Sequence, residues 1–196
     1  MTGSSGGADD EETHAKAGKS GKVFGRAAIA TRDGTCQAPL VIEGLRIEPA
    51  TLDDLPELSG MLFELFSQEQ DFVPDRETQK RGLRLILEDP SRGRIFVLRS
   101  PNKIIGMINL LITISTAEGG FVLILEDLII DRAHRGQGFG TKLLNYAIDF
   151  AKKKNFLRIT LLTDQPDEPQ KHFYLKNGFV QSAMVPMRMY FRGDES

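Results

Sequence analysis

A run of apolar residues from Phe121 to Ile130 places the strongest constraint on how this chain can fold. Only two adjacent carboxylates, Glu126 and Asp127, interrupt it. A short run that is apolar on both faces is typical of a central strand in a sheet that is covered on both sides. Because successive side chains of a strand alternate, we expect the two carboxylates to point to opposite faces. A buried carboxylate costs free energy unless it meets water or a partner, so we expect each of the two to face one or the other.

A basic, glycine-rich turn follows the run and leads into an amphipathic helix. The turn reads "RAHRGQGFG" over residues 132–140, and the apolar face of the helix comprises Phe139, Leu143, Ala147, Phe150 and Ala151. Lys152–Lys154 complement the helix dipole in the last turn, and Asn155 is expected to cap the helix in a left-handed conformation. A helix N-terminus that is entered through glycines favours an anion, because unpaired backbone N–H groups point outward there. Arg135 would add charge-assisted hydrogen bonds, although a tight turn without a ligand would also explain the glycines.

Two common phosphate-binding motifs do not fit the spacing of these glycines. The dinucleotide fingerprint needs a glycine three residues after Gly138, where this chain has Thr141. The sequence "AGKS" at residues 17–20 is similar to the end of a P-loop, but the first glycine of that motif would fall on Thr13. A nucleotide-binding protein of the Rossmann type is therefore disfavoured.

The remaining patterns predict a single domain over residues 44–196 with an extension before it. The sequence "LRIEPA" favours a short strand, Thr51 with its following carboxylates favours a helix start, and a second helix is predicted over about Arg76–Glu88. Two further strands, "RIFVLR" and "IIGMINLLITIST", precede a glycine turn and the central strand, which predicts an antiparallel meander. Residues 1–43 are interpreted as a flexible N-terminal extension or, over 23–43, a short hairpin.

Charge and cysteine content exclude several classes of function. The net charge of -2 and pI of about 6.0 provide no general attraction for nucleic acid or an anionic membrane. No stretch approaches the roughly 20 apolar residues that span a bilayer. The single cysteine, Cys36, excludes an intramolecular disulfide and a cysteine-rich metal site, and neither His134 nor His172 has a partner at metal-binding spacing. We therefore expect a cytoplasmic protein without a metal, a nucleic-acid partner or a membrane partner.

The glycine-rich turn and its flanking segments together resemble the GNAT superfamily of N-acetyltransferases. The resemblance covers roughly residues 44–192: "LEDLII" precedes "RGQGFGTKLL", and "RITLLTD" and "HFYLKNGF" follow it. The matching positions of the Arg/Gln-x-x-Gly-x-Gly/Ala signature and of the Phe-Tyr-x-x-x-Gly-Phe segment are Arg135, Gly138, Gly140, Phe173, Tyr174, Gly178 and Phe179. The run "EDLIIDRAHRGQGFG" is most similar to the diamine and polyamine acetyltransferase branch.

The resemblance implies an α/β fold and acetyl-CoA as co-substrate. The expected fold is a central, mixed, mostly antiparallel sheet whose middle strands splay apart and which about four helices flank. The pyrophosphate would lie on backbone groups of Arg135, Gly136, Gln137, Gly138, Phe139, Gly140 and Thr141. The pantetheine arm would pair, as an added strand, with main-chain groups of Leu128, Ile129 and Ile130. Asp167 occupies the position where the family has an asparagine near the pantetheine, so that contact departs from the family pattern.

The same resemblance implies direct attack of an amine on the thioester, without an acyl-enzyme. Tyr174 is the candidate acid for the departing thiolate, and the backbone N–H of Leu128 is a candidate donor to the oxyanion. Glu126 is the candidate base, acting through water, or else a residue that holds the substrate in an ion pair. Asp127 is assigned to structure.

Neither the acceptor nor the oligomeric state follows from the sequence. The acidic residues Glu64, Glu69, Asp71 and Asp75 would attract a cationic amine or merely solvate a loop. A small-molecule amine and a peptide amine both stay open, as does a homodimer. The competing hypothesis is a catalytically silent acyl-CoA-binding sensor module.

Overall fold

A computed structural model of the chain describes residues 39–42, 44–67, 73–163 and 168–191. Six strands and four helices form the described fold. In chain order they are β1 (Leu40–Ile42), β2 (Leu45–Pro49), α1 (Leu55–Phe66), α2 (Arg76–Glu88), β3 (Gly93–Arg99), β4 (Ile104–Ser115), β5 (Gly120–Ile130), α3 (Phe139–Lys153), β6 (Ile159–Leu161) and α4 (Glu168–Lys176). Short 3-10 turns at Leu52–Asp54 and Arg132–His134 precede α1 and follow β5. Of the helices in the described ranges, none combines the length and apolarity that crossing a bilayer requires.

The six strands form one sheet in chain order. Neighbouring strands from β1 to β5 are antiparallel, and β6 is parallel to β5. This arrangement confirms the predicted meander and the mixed, mostly antiparallel sheet. The sheet begins at Leu40, which pairs with Ile47 and lies before the predicted boundary at Gly44. The alternative hairpin over 23–43 falls largely outside the described residues.

The pairing between β5 and β6 is short, and this positions the site. It runs only from Leu123–Ile159 to Leu125–Leu161, whereas β5 continues to Ile130. Residues 126–130 of β5 therefore have no strand partner on the side of β6 among the described residues. We call the side of residues 126–130 that lacks this pairing the gap, and it lies where the predicted fold requires its middle strands to splay apart.

Two apolar layers hold the sheet between the helices. On one face, α3 buries Leu143 and Ala147, and Phe96 of β3 meets the rings of Tyr146 and Phe150 edge-on at centroid distances of 5.1 and 5.0 Å. On the other face, α1 and α2 pack through residues such as Leu58 against β3, β4 and β5. β5 is thus covered on both faces, which explains why it is apolar before and after its two carboxylates.

Candidate active site

The turn after β5 is fixed by an ion-paired carboxylate, Asp131. Its Oδ1 accepts a hydrogen bond from the backbone N–H of Ala133 at 2.9 Å and lies 3.1 Å from Nδ1 of His134. Its Oδ2 accepts from Nζ of Lys103 at 2.9 Å. The hydrogen bond from Lys103, followed by that from His134, lowers the pKa of Asp131 to about 2. The carboxylate therefore stays ionised and fixes where the chain leaves β5, and His134 takes part in this structural contact.

Two glycines in left-handed conformation shape the loop that leads into α3. Gly136 has φ +75° and Gly138, the residue before the first turn of α3, has φ +80°. A Cβ added at either glycine would meet nothing within 4 Å, so the space beside this backbone is open. The amide of Lys142 donates to the carbonyl of Gly138 at 3.1 Å, which leaves the N–H groups of residues 139–141 without acceptors within the helix. An anionic group would fit this open backbone site.

Side chains of the same loop tie it to the end of β5. Nε of Arg135 donates to the carbonyl of Ile130 at 2.8 Å, and Nε2 of Gln137 donates to the carbonyl of Ala133 at 3.2 Å. Both side chains are exposed. Phe139, by contrast, is 8% exposed and packs into the core, so only its backbone N–H is available to a ligand at this loop.

The open edge of β5 presents backbone groups to the gap. The amide of Asp131 donates to the carbonyl of Ile105 in β4 at 2.9 Å. Because successive residues of a strand direct their backbone groups to alternate sides, Ile130 and Leu128 direct theirs away from β4 and into the gap. The bond from Arg135 to the carbonyl of Ile130 agrees with this direction. The backbone groups of Ile129 face β4. Of the three residues predicted to pair with the pantetheine arm, Leu128, Ile129 and Ile130, only Ile129 therefore does not present its backbone to the gap.

A β-bulge interrupts β5 at the two carboxylates. The register passes from Asn109–Asp127 to Leu110–Leu125, so Glu126 is the extra residue. Leu125 and Leu128 both pack in the layer beneath α3, although regular alternation would place them on opposite faces. The prediction that the carboxylates point to opposite faces assumed that side chains alternate regularly along the whole strand. The bulge interrupts that alternation, so this assumption is wrong.

The two carboxylates differ in burial instead. Glu126 is exposed, whereas Asp127 is 7% exposed and accepts a hydrogen bond on Oδ2 from Nδ2 of Asn109 at 3.0 Å. Asn109 is itself 3% exposed, and its Oδ1 is buried without a hydrogen-bond partner. We did not single out Asn109 from the sequence, although one amide within the apolar segment "IIGMINLLI" was a detectable signal.

Tyr174 of α4 packs against the apolar layer beneath α3, within range of the charge of Asp127. Its ring is half-buried and meets Phe173 and Phe179 edge-on at centroid distances of 5.1 and 5.6 Å. Burial raises the pKa of Tyr174 to about 12, and the negative charge of Asp127 contributes to the rise. The phenol is thus protonated at any ordinary pH and can donate its proton.

The acidic rim predicted from the sequence is only partly described. Asp75 caps α2. Its carboxylate accepts hydrogen bonds from the amide of Glu77 at 3.1 Å and from the hydroxyl of Thr78 at 2.5 Å. The bond from Thr78, followed by that from Glu77, lowers the pKa of Asp75. Glu64 is exposed on α1, at a cleft between α1 and the end of β5 that Arg135 also lines. Glu69, Asp71 and the predicted cofactor contact Asp167 lie outside the described residues.

Comparison with known proteins identifies the class to which this fold and site belong. Residues 59–179 match the sequence profile described as the acetyltransferase (GNAT) family. Because the match spans more than half of the chain, the chain belongs to this family. The protein is therefore an acetyltransferase enzyme, and its curated relatives are N-acetyltransferases.

Individual relatives show the range of this similarity. An aminoalkylphosphonate N-acetyltransferase of Salmonella typhimurium is 26% identical over 133 residues, which are 68% of this chain and 83% of the relative. Streptothricin acetyltransferase A of Bacillus subtilis is 37% identical over 68 residues, 35% of this chain and 39% of that protein. The crystal structure of a possible acetyltransferase from Clostridium difficile 630 superposes with a TM-score of 0.68 at 21% identity, over 76% of this chain and 97% of the other. The fold agrees over most of the chain.

Proposed function

We propose that this protein moves an acetyl group from acetyl-CoA to a primary amine by direct attack in a ternary complex. The observation that carries the proposal is the gap beside β5, which has open backbone groups along one edge, the loop glycines at one end and the protonated Tyr174 nearby. Acetyl-CoA would supply an activated acetyl thioester when bound. The residues of the chain would hold it, orient it and move the protons.

The co-substrate site would be built mainly from backbone. The N–H groups of residues 139–141 and of the loop before them would receive the pyrophosphate, with the open space at Gly136 and Gly138 admitting its oxygens. Arg135, held at the mouth of the gap by the carbonyl of Ile130, would add positive charge. Leu128 and Ile130 would pair with the pantetheine arm as with a further strand.

The chemistry would need three groups of the chain. The amine nitrogen forms a bond to the thioester carbonyl carbon, and the backbone N–H of Leu128 donates to the developing oxyanion. The carbon–sulfur bond then breaks, and Tyr174 gives its proton to the thiolate sulfur. Glu126 takes the proton that the amine nitrogen loses, through water, since its exposed carboxylate at the bulge has access to solvent. Asp127, buried and hydrogen-bonded to Asn109, would have a structural role.

We expect Glu126→Gln to remove or shift the acidic limb of the pH profile of kcat/KM. An amide cannot accept the proton that a carboxylate accepts. Steady-state rates over a range of pH measure this. Glu88→Gln, at the exposed end of α2, is the matched control and should leave the profile unchanged. If Glu126→Gln raises KM and the acidic limb persists, Glu126 holds the amine rather than accepting its proton.

Small-molecule amines are the acceptor class we favour over peptides. The names of two relatives state activity toward aminoalkylphosphonate and streptothricin, and one similar solved structure, at 23% identity and a TM-score of 0.60, is an aminoglycoside acetyltransferase in complex with sisomicin. On this chain, the exposed Glu64 at the cleft would attract positive charge. We place the reaction in the cytoplasm, in keeping with the single cysteine.

An amine panel tests the proposed function. The protein would be mixed with acetyl-CoA and with diamines, aminoglycosides, aminoalkylphosphonates and lysine-containing peptides, and thiol release would be followed. We expect turnover above the hydrolysis rate with at least one small amine. Tight acetyl-CoA binding without turnover on any acceptor would support the sensor hypothesis instead.

A further inference from the structure

A cleft lies between α1 and the edge of the sheet where β4 begins and β5 ends, and we call it the α1 cleft. Its volume is about 260 Å³. Sites that take drug-sized ligands have roughly 300–1,000 Å³, so the α1 cleft is suited to a smaller molecule. Ile104 and Ile129, which are 2% and 5% exposed, form its floor. The apolar residues that line it are Pro56, Met61, Leu65, Ile104, Ile129 and Ile130.

Polar contacts at the rim hold the walls of the α1 cleft in place. Oε1 of Glu57 in α1 accepts a hydrogen bond from the backbone N–H of Ile104 at 2.8 Å, which ties α1 to the start of β4. Lys103 pairs with Asp131 at 2.9 Å, which ties the start of β4 to the end of β5. The cleft is therefore preformed, and a ligand would not have to order its walls. Because these polar groups already have partners, the floor offers a ligand mainly apolar contact.

Gly60 keeps the α1 cleft open at the middle of α1. It lines the cleft, and a Cβ added to it would meet nothing within 4 Å. Glycine is the least favourable residue after proline inside a helix, so most other residues would stabilise α1 more. The missing side chain therefore costs helix stability and leaves space in the cleft that a ligand can occupy.

The α1 cleft reaches the proposed active site from the face of the sheet that α1 and α2 cover. Ile129 of its floor packs in the layer of these helices, whereas Leu128 packs in the layer beneath α3. The glycine loop proposed for the co-substrate leads into α3 and so serves the opposite face. Arg135 lines the cleft, and its Nε donates to the carbonyl of Ile130, which faces the gap. A molecule in the cleft and a co-substrate in the gap would thus approach the end of β5 from opposite faces.

We propose that the α1 cleft binds a small primary amine through an apolar body, an alkyl or aryl group that lies on the floor. That this amine is the acetyl acceptor rests on the proposed function. Transfer of the hydrocarbon from water onto Met61, Leu65 and the floor supplies the binding free energy. The amino group would then point toward the edge of β5 at Leu128. An amine that is polar throughout, such as an aminoglycoside, gains nothing from this floor.

A series of acceptors of increasing chain length tests the proposal. Primary n-alkylamines from methylamine to hexylamine would be compared by thiol release from acetyl-CoA. We expect kcat/KM to rise about fourfold for each added methylene until the cleft is full, because each buried methylene contributes a similar transfer free energy. Amino alcohols of the same length, which end in a hydroxyl group, are the matched polar substrates and should be poorer at every length.

Gly60→Leu would fill the α1 cleft from the middle of α1. The loss of kcat/KM should grow with chain length and reach roughly 30-fold or more with hexylamine, with acetyl-CoA affinity changed less than about threefold. Gly82→Leu is the matched control. Gly82 lies in the middle of α2, a Cβ there also meets nothing within 4 Å, and it is exposed and outside the cleft lining. This control should keep the dependence on chain length. If Gly60→Leu weakens acetyl-CoA binding as much as it lowers hexylamine turnover, the cleft belongs to the co-substrate and the proposal is wrong.

Methyl NMR signals of isoleucine report binding in the cleft independently of turnover. Hexylamine should shift the signals of Ile104 and Ile129 in the wild type but not in Gly60→Leu. Ile47, which is buried in the opposite layer, is the internal reference. Shifts without turnover of any amine would support the cleft and contradict the proposed function. Turnover of amines without these shifts and without a dependence on chain length would overturn the cleft proposal and leave the proposed function standing.

Discussion

Tyr174→Phe should lower the turnover number by roughly 100-fold to 10,000-fold, the usual contribution of a positioned general acid, with acetyl-CoA affinity almost unchanged. The reason lies in what the substitution removes. The ring keeps its contacts with Phe173 and Phe179, and only the proton that the thiolate would receive is lost. Steady-state kinetics and calorimetric titration with acetyl-CoA measure the two quantities separately.

Tyr146→Phe is the matched control for this experiment. Tyr146 is a tyrosine of α3, and its ring is 3% exposed and packs edge-on against Phe96. Loss of its hydroxyl should affect stability more than turnover. The pKa of Tyr174, raised to about 12, adds a second check: the phenol stays protonated below that pH, so the wild-type rate should not fall as pH passes the ordinary tyrosine pKa of about 10. Full activity of Tyr174→Phe would contradict its role as the acid.

Gly138→Asp should abolish acetyl-CoA binding within the range that calorimetry detects. The substitution places a carboxylate where the pyrophosphate would approach the N–H groups at the start of α3, so like charges and bulk both oppose the ligand. The added Cβ meets nothing within 4 Å, and therefore the loss does not arise from a clash inside the protein.

Gly119→Asp is the control that distinguishes two effects of Gly138→Asp, the loss of the ligand site and the strain of the backbone. Gly119 has φ +71°, close to the +80° of Gly138, and a Cβ there also meets nothing within 4 Å, but it lies in the turn between β4 and β5. Both variants bear the cost of a left-handed aspartate, so melting temperatures should fall by similar amounts. Only Gly138→Asp should lose affinity, and equal affinity in the two variants would refute the pyrophosphate assignment.

Local sequence signals predicted most of the fold because they act over a few residues. The bounds of α2 follow from the cap at Asp75 and from the Asp89-Pro90 pair that ends the helix, and Asn155 has the left-handed φ of 59° expected of a cap. The bulge at Glu126 was not predictable in this way. A one-residue change of register depends on how β4 and β5 pair, and the apolar run reads the same with or without it.

The candidate site, like the fold, was predictable from the sequence only where its parts are adjacent in the chain. The anion loop was predictable because its glycines and the helix start are adjacent in sequence. The effect of the Asp127 charge on the pKa of Tyr174 arises because α4 packs against the apolar layer of the sheet, and no spacing pattern joins residues so far apart in the chain. The partnerless Oδ1 of Asn109 likewise becomes visible only when the opposite strand is in place.

The early end of the pairing between β5 and β6 has a consequence for how the proposed enzyme could change over time. Leu128 and Ile130 would offer only their peptide groups to the co-substrate, while their side chains pack into the layer beneath α3. One apolar residue could therefore replace another there without altering the groups offered to the co-substrate. The proposed acceptor side would depend instead on individual side chains such as Glu64 and Glu126. Donor chemistry would thus be insulated from sequence drift, and new acceptors could be acquired by substitutions that leave the donor site intact.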